Sequence, residues 1–175
     1  MSQNVADFVR DLQAASGHVD RDLAEALDSV KPRLLEAIAE NFRSQSTAGT
    51  AWPPRQDTGF SHPLLNKSGA LMAAASTTGA PSHIERTVED GDGLTLELGV
   101  DASGQQGGIP GAAVHNYGAT IRPVQKEYLS WIDGSGTRRF AKQVTIPQRE
   151  YMAVGDDVVD ECGETVADKL LNEVA

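Results

Sequence analysis

The stretch Ala112-Ala113-Val114-His115-Asn116-Tyr117-Gly118-Ala119-Thr120-Ile121-Arg122-Pro123 decides how this chain is read. Ala112 to Val114 are compact formers of one short helical turn. Gly118 supplies the positive φ at which such a turn ends. Thr120 and Ile121 are β-branched and continue as a strand, which Pro123 closes at an edge. His115 invites a catalytic reading, because histidine titrates near neutral pH. No second titratable group stands near it at metal-ligand or triad spacing. A partly buried histidine tied down at a helix end is therefore the favoured reading.

Upstream, Leu94, Leu96, Leu98 and Val100 alternate with Thr95, Glu97 and Gly99, after the run His83–Val88 and a turn of acids and glycines at 89–93. Two extended runs around Asp-Gly predict a hairpin with one buried face. Downstream, Tyr128–Ile132 and Phe140–Ile146 flank Asp133-Gly134-Ser135-Gly136, which predicts a second hairpin with Arg138 and Arg139 just past its tip. Pro147 ends the sheet.

Helices fill the two ends. Val5, Phe8, Val9 and Leu12 lie at helical spacing, and Ser16-Gly17 reads as a stop. Leu23, Leu27, Val30, Leu34, Ile38 and Phe42 then form one apolar stripe, with Asp20 as N-cap. Pro32 predicts a kink or a break, with Ser29 capping the second piece. This stripe is read as a core helix ahead of a subunit-pairing one. A short alanine-rich helix follows from Ser68 to Ala75. The last helix carries Val158, Cys162, Val166, Leu170 and Val174 at four-residue steps, with Asp156 and Asp157 favoured in its first turn by the helix dipole. Cys162 reads as a small buried hydrophobe.

Residues 44–67 are rich in Gln, Ser, Thr, Gly and Pro and read as a long exposed loop, with Trp52 its one anchored residue. Gly104 to Gly111 lacks both the G-x-G-x-x-G order and a following lysine, so it is a surface loop and not a phosphate cradle.

The expected fold class is α+β. A small antiparallel β-sheet of two hairpins packs against a long N-terminal helix and a C-terminal helix. Residues 1–18 form an N-terminal helical extension, and 19–175 form a single domain.

The chain has 175 residues, 17 glycines, 8 prolines and a net charge of -10, which argues against nonspecific wrapping of nucleic acid. That charge is uneven. Arg122, Lys126, Arg138, Arg139, Lys142 and Arg149 face only Glu127 and Asp133 between 122 and 149. Asp156, Asp157, Asp160, Glu161, Glu164, Asp168 and Glu173 face only Lys169 between 155 and 175. Opposite-sign surfaces suit head-to-tail self-association, and equally they suit neutralisation within one monomer. One cysteine excludes an intrachain disulfide, no secretory h-region is visible, and no run is a membrane span. Metal, nucleotide and dinucleotide motifs are absent, so no cofactor, metal or catalytic residue is expected.

The segments AAVHNYGATI and FAKQVTIPQREYM resemble the phage virion-morphogenesis, or tail-completion, family of Mu-like tailed phages. Members carry a helical Ala-aromatic-x-x-His-x-x-Gly turn, a strand, an Ile-Pro-x-Arg-x-Tyr/Phe segment and a terminal helix. Asn41-Phe42, Trp52-Pro53 and Lys67-x-Gly69-x-Leu71 fall in the same order. The paired arginines of the Mu-type first helix are missing.

The resemblance implies a non-enzymatic structural subunit, ring-forming at the head-proximal end of the tail. It would assemble in the host cytoplasm and end in the virion at the tail or head-tail junction. Its implied partners are its own copies, other tail or neck proteins, and viral double-stranded DNA passing through without specific binding. His115, Gly118, Pro147, Arg149 and Tyr151 would be structural. Trp52, Arg138, Arg139, Lys142, Asp156, Asp157 and Asp160 are the candidate subunit or partner contacts. The alternatives are a tail-assembly chaperone or binding module absent from the mature virion and, less favoured, a small hydrolase pairing His115 with Asp101.

Overall fold

A computed structural model describes the backbone of residues 5–90, 93–103 and 108–174, and the side chains of 21–89, 93–103 and 108–171. The N-terminal apolar stripe at residues 5–12, the 91–92 turn, most of the glycine-rich loop and Val174 of the last stripe fall outside the described side chains. In order, the elements are α1 (Val5–Ser44), β1 (Ser46–Thr47), β2 (Thr50–Ala51), α2 (Ala70–Ser76), β3 (His83–Asp90), β4 (Gly93–Val100), α3 (Ala112–Tyr117), β5 (Ala119–Ile121), β6 (Leu129–Ile132), β7 (Arg138–Ala141), β8 (Val144–Ile146) and α4 (Asp156–Val174). The fold is α+β, with a long helix at one end, another at the other, and small antiparallel strand pairs between.

The helix boundaries differ from expectation. α1 runs unbroken through Ser16-Gly17, so the Asp20 backbone lies inside the helix and not at its N-cap position. Pro32 also sits inside it. Ser29 donates its hydroxyl to the Ala26 carbonyl at 2.6 Å, so it bonds backwards within the helix and caps no second piece. Local stop signals cost about 1 kcal/mol for a glycine and about 3 for a proline. Burial of Ala26, Val30, Leu35, Ile38, Ala39 and Phe42 along one stripe outweighs the proline.

The second hairpin also differs. Phe140–Ile146 is not one strand. Residues 138–141 pair with β6, Leu129 opposite Ala141 and Ile132 opposite Arg138. Residues 144–146 instead pair with β5, Ala119 opposite Ile146. Arg138 and Arg139 open β7 just past the turn, as expected. Among the described residues the strands form four two-stranded pairs, β1-β2, β3-β4, β5-β8 and β6-β7. The apolar face of β4 is half-buried, with Leu94, Leu96, Leu98 and Val100 all partly exposed.

The chain divides into two compact units. One comprises residues 1–34, 86–97 and 156–175. There Ala26 and Val30 of α1 and Val158 and Cys162 of α4 are buried. Arg33 pairs with Glu161 at 2.7 Å, and Lys169 donates to the Glu25 carbonyl at 3.0 Å, so the two helices run antiparallel. Burial pushes the Cys162 thiol up, consistent with an inert packing role.

The other unit comprises residues 35–85 and 98–155. Its core is Ile38, Phe42, Trp52, Leu71, Ala75, Ala112 and Tyr151. Phe42 meets Trp52 edge-on at 5.8 Å and Tyr151 at 5.3 Å. The segment expected to be a long exposed loop opens with the β1-β2 pair, and Trp52 is buried in its own unit.

Pro32 gives the Asp28 carbonyl no donor, and it is exposed, so its ring packs no core. Replacing it with alanine should stabilise the chain by about 1–3 kcal/mol, read as a raised urea midpoint. An unchanged or lowered midpoint would mean the proline is required where it stands.

Candidate functional site

The stretch following β8 is fixed by buried polar groups. Arg149, 6% exposed, donates from Nε to the Pro53 carbonyl at 3.0 Å and from Nη2 to Pro54 at 3.3 Å. Its amide donates to the His115 carbonyl at 2.9 Å. Tyr151, 2% exposed, donates its hydroxyl to the Ala112 carbonyl at 3.1 Å. Asn41 of α1 donates to the Tyr151 and Ala153 carbonyls at 3.2 and 2.7 Å, and Asn116 accepts from the Met152 amide at 3.2 Å. A chain leaving a sheet edge thus has its backbone groups satisfied by side chains.

Gly118 ends α3 at φ 69°. A Cβ there would stand 2.9 Å from the Gln148 nitrogen, so conformation and space both demand glycine. Pro147, just before that nitrogen, is half-buried.

Among the described residues, no carboxylate pairs with His115. Its Nδ1 is buried without a hydrogen bond among the described residues. Burial lowers its pKa, and the Arg149 charge lowers it further. Asp101, its proposed hydrolytic partner, instead caps its own turn, accepting from the Ser103 amide at 2.8 Å. Among the described residues, no group of three His, Cys, Asp or Glu is placed to hold a metal ion. No helix of the described residues is long and apolar enough to cross a membrane.

Two surfaces carry the remaining candidates. On the β6-β7 hairpin, alternation puts Ser130 and Ile132 on one face with Arg138 and Phe140. Ile132 is 50% and Phe140 64% exposed. Lys142 extends that face, its Nζ 5.9 Å from the Tyr128 ring centre. Arg139 lies on the opposite face and is engaged internally, donating to Asp133 Oδ2 at 2.7 Å. Asp133 also accepts from the Ser135 hydroxyl and from the amides of Ser135 and Thr137. Those donors, Ser135 first and then Arg139, hold its carboxyl far below the usual range. The hairpin turn is pinned from beneath: Gly134 donates to Asp57 at 2.9 Å and abuts the Gly59 backbone so closely that neither position admits a Cβ.

The second surface is the start of α4, where Asp156, Asp157 and Asp160 are all exposed. Val159, 53% exposed, shares the Asp156-Asp160-Gly163 face.

Sequence reasoning missed a cleft of about 600 Å³ that opens beside His115 and Arg149, walled by Arg55, Leu64, Leu65 and Ile109. Its only sequence signal was the arginine directly after Pro53-Pro54.

Tyr151 is pushed up to about 12, by burial first and then by Tyr117. A raised folded value means its contribution is complete below the ordinary pKa of 10.0 and is lost as pH climbs towards 12. Tyr151→Phe should therefore cost about 1 kcal/mol at pH 7 and flatten the alkaline loss of stability. His115 has the opposite sign of shift. Its contribution is complete above pH 6.5 and lost as pH falls through the depressed folded value. His115→Gln should flatten the acid limb only. Urea midpoints from pH 4 to 11 would check both, and unaltered limbs would refute these environments.

Searches of the curated proteins and of the solved structures each return no match. The model of the phage virion morphogenesis family matches residues 2–171, nearly the whole chain. It spans the His115/Gly118 turn, the Ile146-Pro147 segment and both terminal helices, and the chain belongs to the phage virion morphogenesis family.

Proposed function

We propose that this protein is a non-enzymatic subunit that completes or terminates a phage tail at its head-proximal end, assembling head to tail with its own copies into a ring. The observation that carries this reading is the exposed Ile132/Phe140/Arg138/Lys142 face of the hairpin. Soluble monomers seldom leave adjacent large hydrophobics uncovered on a strand pair. In its mix of charge and apolar surface, the Asp156/Val159/Asp160 face of α4 is the complement. One copy's hairpin meeting the next copy's helix is a heterologous contact, which closes into a ring when the rotation closes.

Family membership supports a role in particle assembly. The proposed neighbours are other tail or neck proteins, with assembly in the host cytoplasm. A net acidic chain lines a channel through which double-stranded DNA passes without being gripped. Trp52, buried in its own unit, is a core residue and no part of the proposed contact, and Arg139 enters it only by shaping the hairpin turn.

Light scattering across concentration and salt should show a discrete oligomer that weakens as salt rises. Arg138→Glu should weaken it about tenfold or more, and adding Asp160→Lys should restore part of the loss. A monomer at every concentration, together with absence from purified particles by mass spectrometry, would replace this reading with a chaperone that leaves before the virion is finished.

A further inference from the structure

The cleft beside Arg149 holds charge that the fold does not neutralise. Arg149 is almost fully buried, and its guanidinium bonds only to the Pro53 and Pro54 carbonyls. Arg55 bonds to the carbonyls of Phe60, His62 and Pro63 and to the His62 ring, and it lies over the Phe60 ring at 5.4 Å. Neither arginine has a carboxylate partner among the described residues, nor does Lys67 at the rim. The twenty lining residues include no Asp or Glu. In a chain with 25 carboxylates against 15 lysines and arginines, that exclusion is a property of the site.

Burying unpaired cations together is costly, and the cost shows. Burial and then Arg55 push the Arg149 pKa down, and Arg149 in turn lowers His115. His115 Nδ1 stands buried and unbonded at the same cleft. Leu64, Leu65, Leu71, Ile109 and Ile146 supply apolar wall between the cations. Leu65 is held at φ 58°, a conformation a leucine adopts only when its surroundings impose it.

We infer that this cleft is a docking site for an acidic-apolar peptide segment of a neighbouring protein, its carboxylate set between Arg55 and Arg149 and its apolar side chains against Leu64, Leu65 and Ile109. Cations separated by apolar wall match a segment alternating leucine-like and acidic residues. A nucleic-acid strand would leave that wall unused. The inference stands apart from the ring, because the cleft belongs entirely to the unit of residues 35–85 and 98–155, and binding is read whether or not the protein oligomerises.

The probe is a capped pentapeptide alternating leucine and glutamate, against its leucine-glutamine counterpart, inorganic phosphate and a single-stranded oligonucleotide. Calorimetry and imidazole NMR on the full-length chain are the readouts. The acidic peptide should bind one to one, at least tenfold tighter than the glutamine peptide. It should raise the His115 pKa as the anion offsets Arg149. Arg55→Gln should weaken binding about tenfold or more, as loss of a charge-assisted bond does. Lys67→Gln, on the exposed rim and safe for folding, should weaken it severalfold. Equal affinity for both peptides, or an unmoved His115, would overturn the assignment. So would phosphate or the oligonucleotide binding as tightly as the acidic peptide, or no binding at millimolar concentration.

Discussion

Phe42 is the side chain on which the larger unit closes. It stands at the C-terminal end of α1 and is the largest side chain buried essentially completely. Two rings converge on it from very different distances along the chain: Trp52, ten residues later, and Tyr151, more than a hundred residues later. Neither contact forms unless the intervening chain has returned, so one aromatic cluster enforces a long-range closure that the short strand pairs could not hold alone. The polar groups follow from it. Asn41, next to Phe42, has the Tyr151 and Ala153 carbonyls within reach only because the rings have met.

Apolar periodicity made the helices legible, and the turn at Gly118 was legible from composition alone. Their ends were not. Ser16-Gly17 and Pro32 are genuine local penalties, yet α1 passes through both. A proline penalty of about 3 kcal/mol is small beside a stripe buried from Ala26 to Phe42, and a local signal carries no record of what lies across the helix. The strand pairing failed for a related reason. Phe140 to Ile146 looks like one extended run. Its two halves choose different partners because β5 is held opposite Val144–Ile146 by the Gly118 turn, whose backbone approaches Gln148 too closely for any side chain.

The proposed contacts were legible as charge and not as geometry. Arg138, Arg139 and Lys142 are indistinguishable in a list of cations. In the fold, β-alternation separates them: Arg139 lies on one face, paired with Asp133, while Arg138 and Lys142 share the other with Phe140 and Ile132. Trp52 shows the same limit from the other side. Its isolation in a polar stretch marks it as anchored, but only the structure shows that its anchor is Phe42 and that its indole N–H donates to Thr47 at 2.7 Å.

The distribution of cations is more informative than the net charge. In an acidic chain a carboxylate is the easiest partner to supply, and where this fold needs one it is present. Arg33 has Glu161, Arg43 has Glu36 and Glu40, Arg86 has Glu97, and Arg139 has Asp133. The first three of these arginines make exposed pairs, where each contributes about 0–1 kcal/mol. Arg149 is the most buried arginine among the described residues and Arg55 beside it is half-buried, and both are solvated by carbonyls. Folding alone favours the reverse, since an unpaired charge costs more the deeper it lies. A chain that leaves its most buried arginine, with Arg55 beside it, facing an open apolar cleft is arranged for a negative charge that arrives from another molecule.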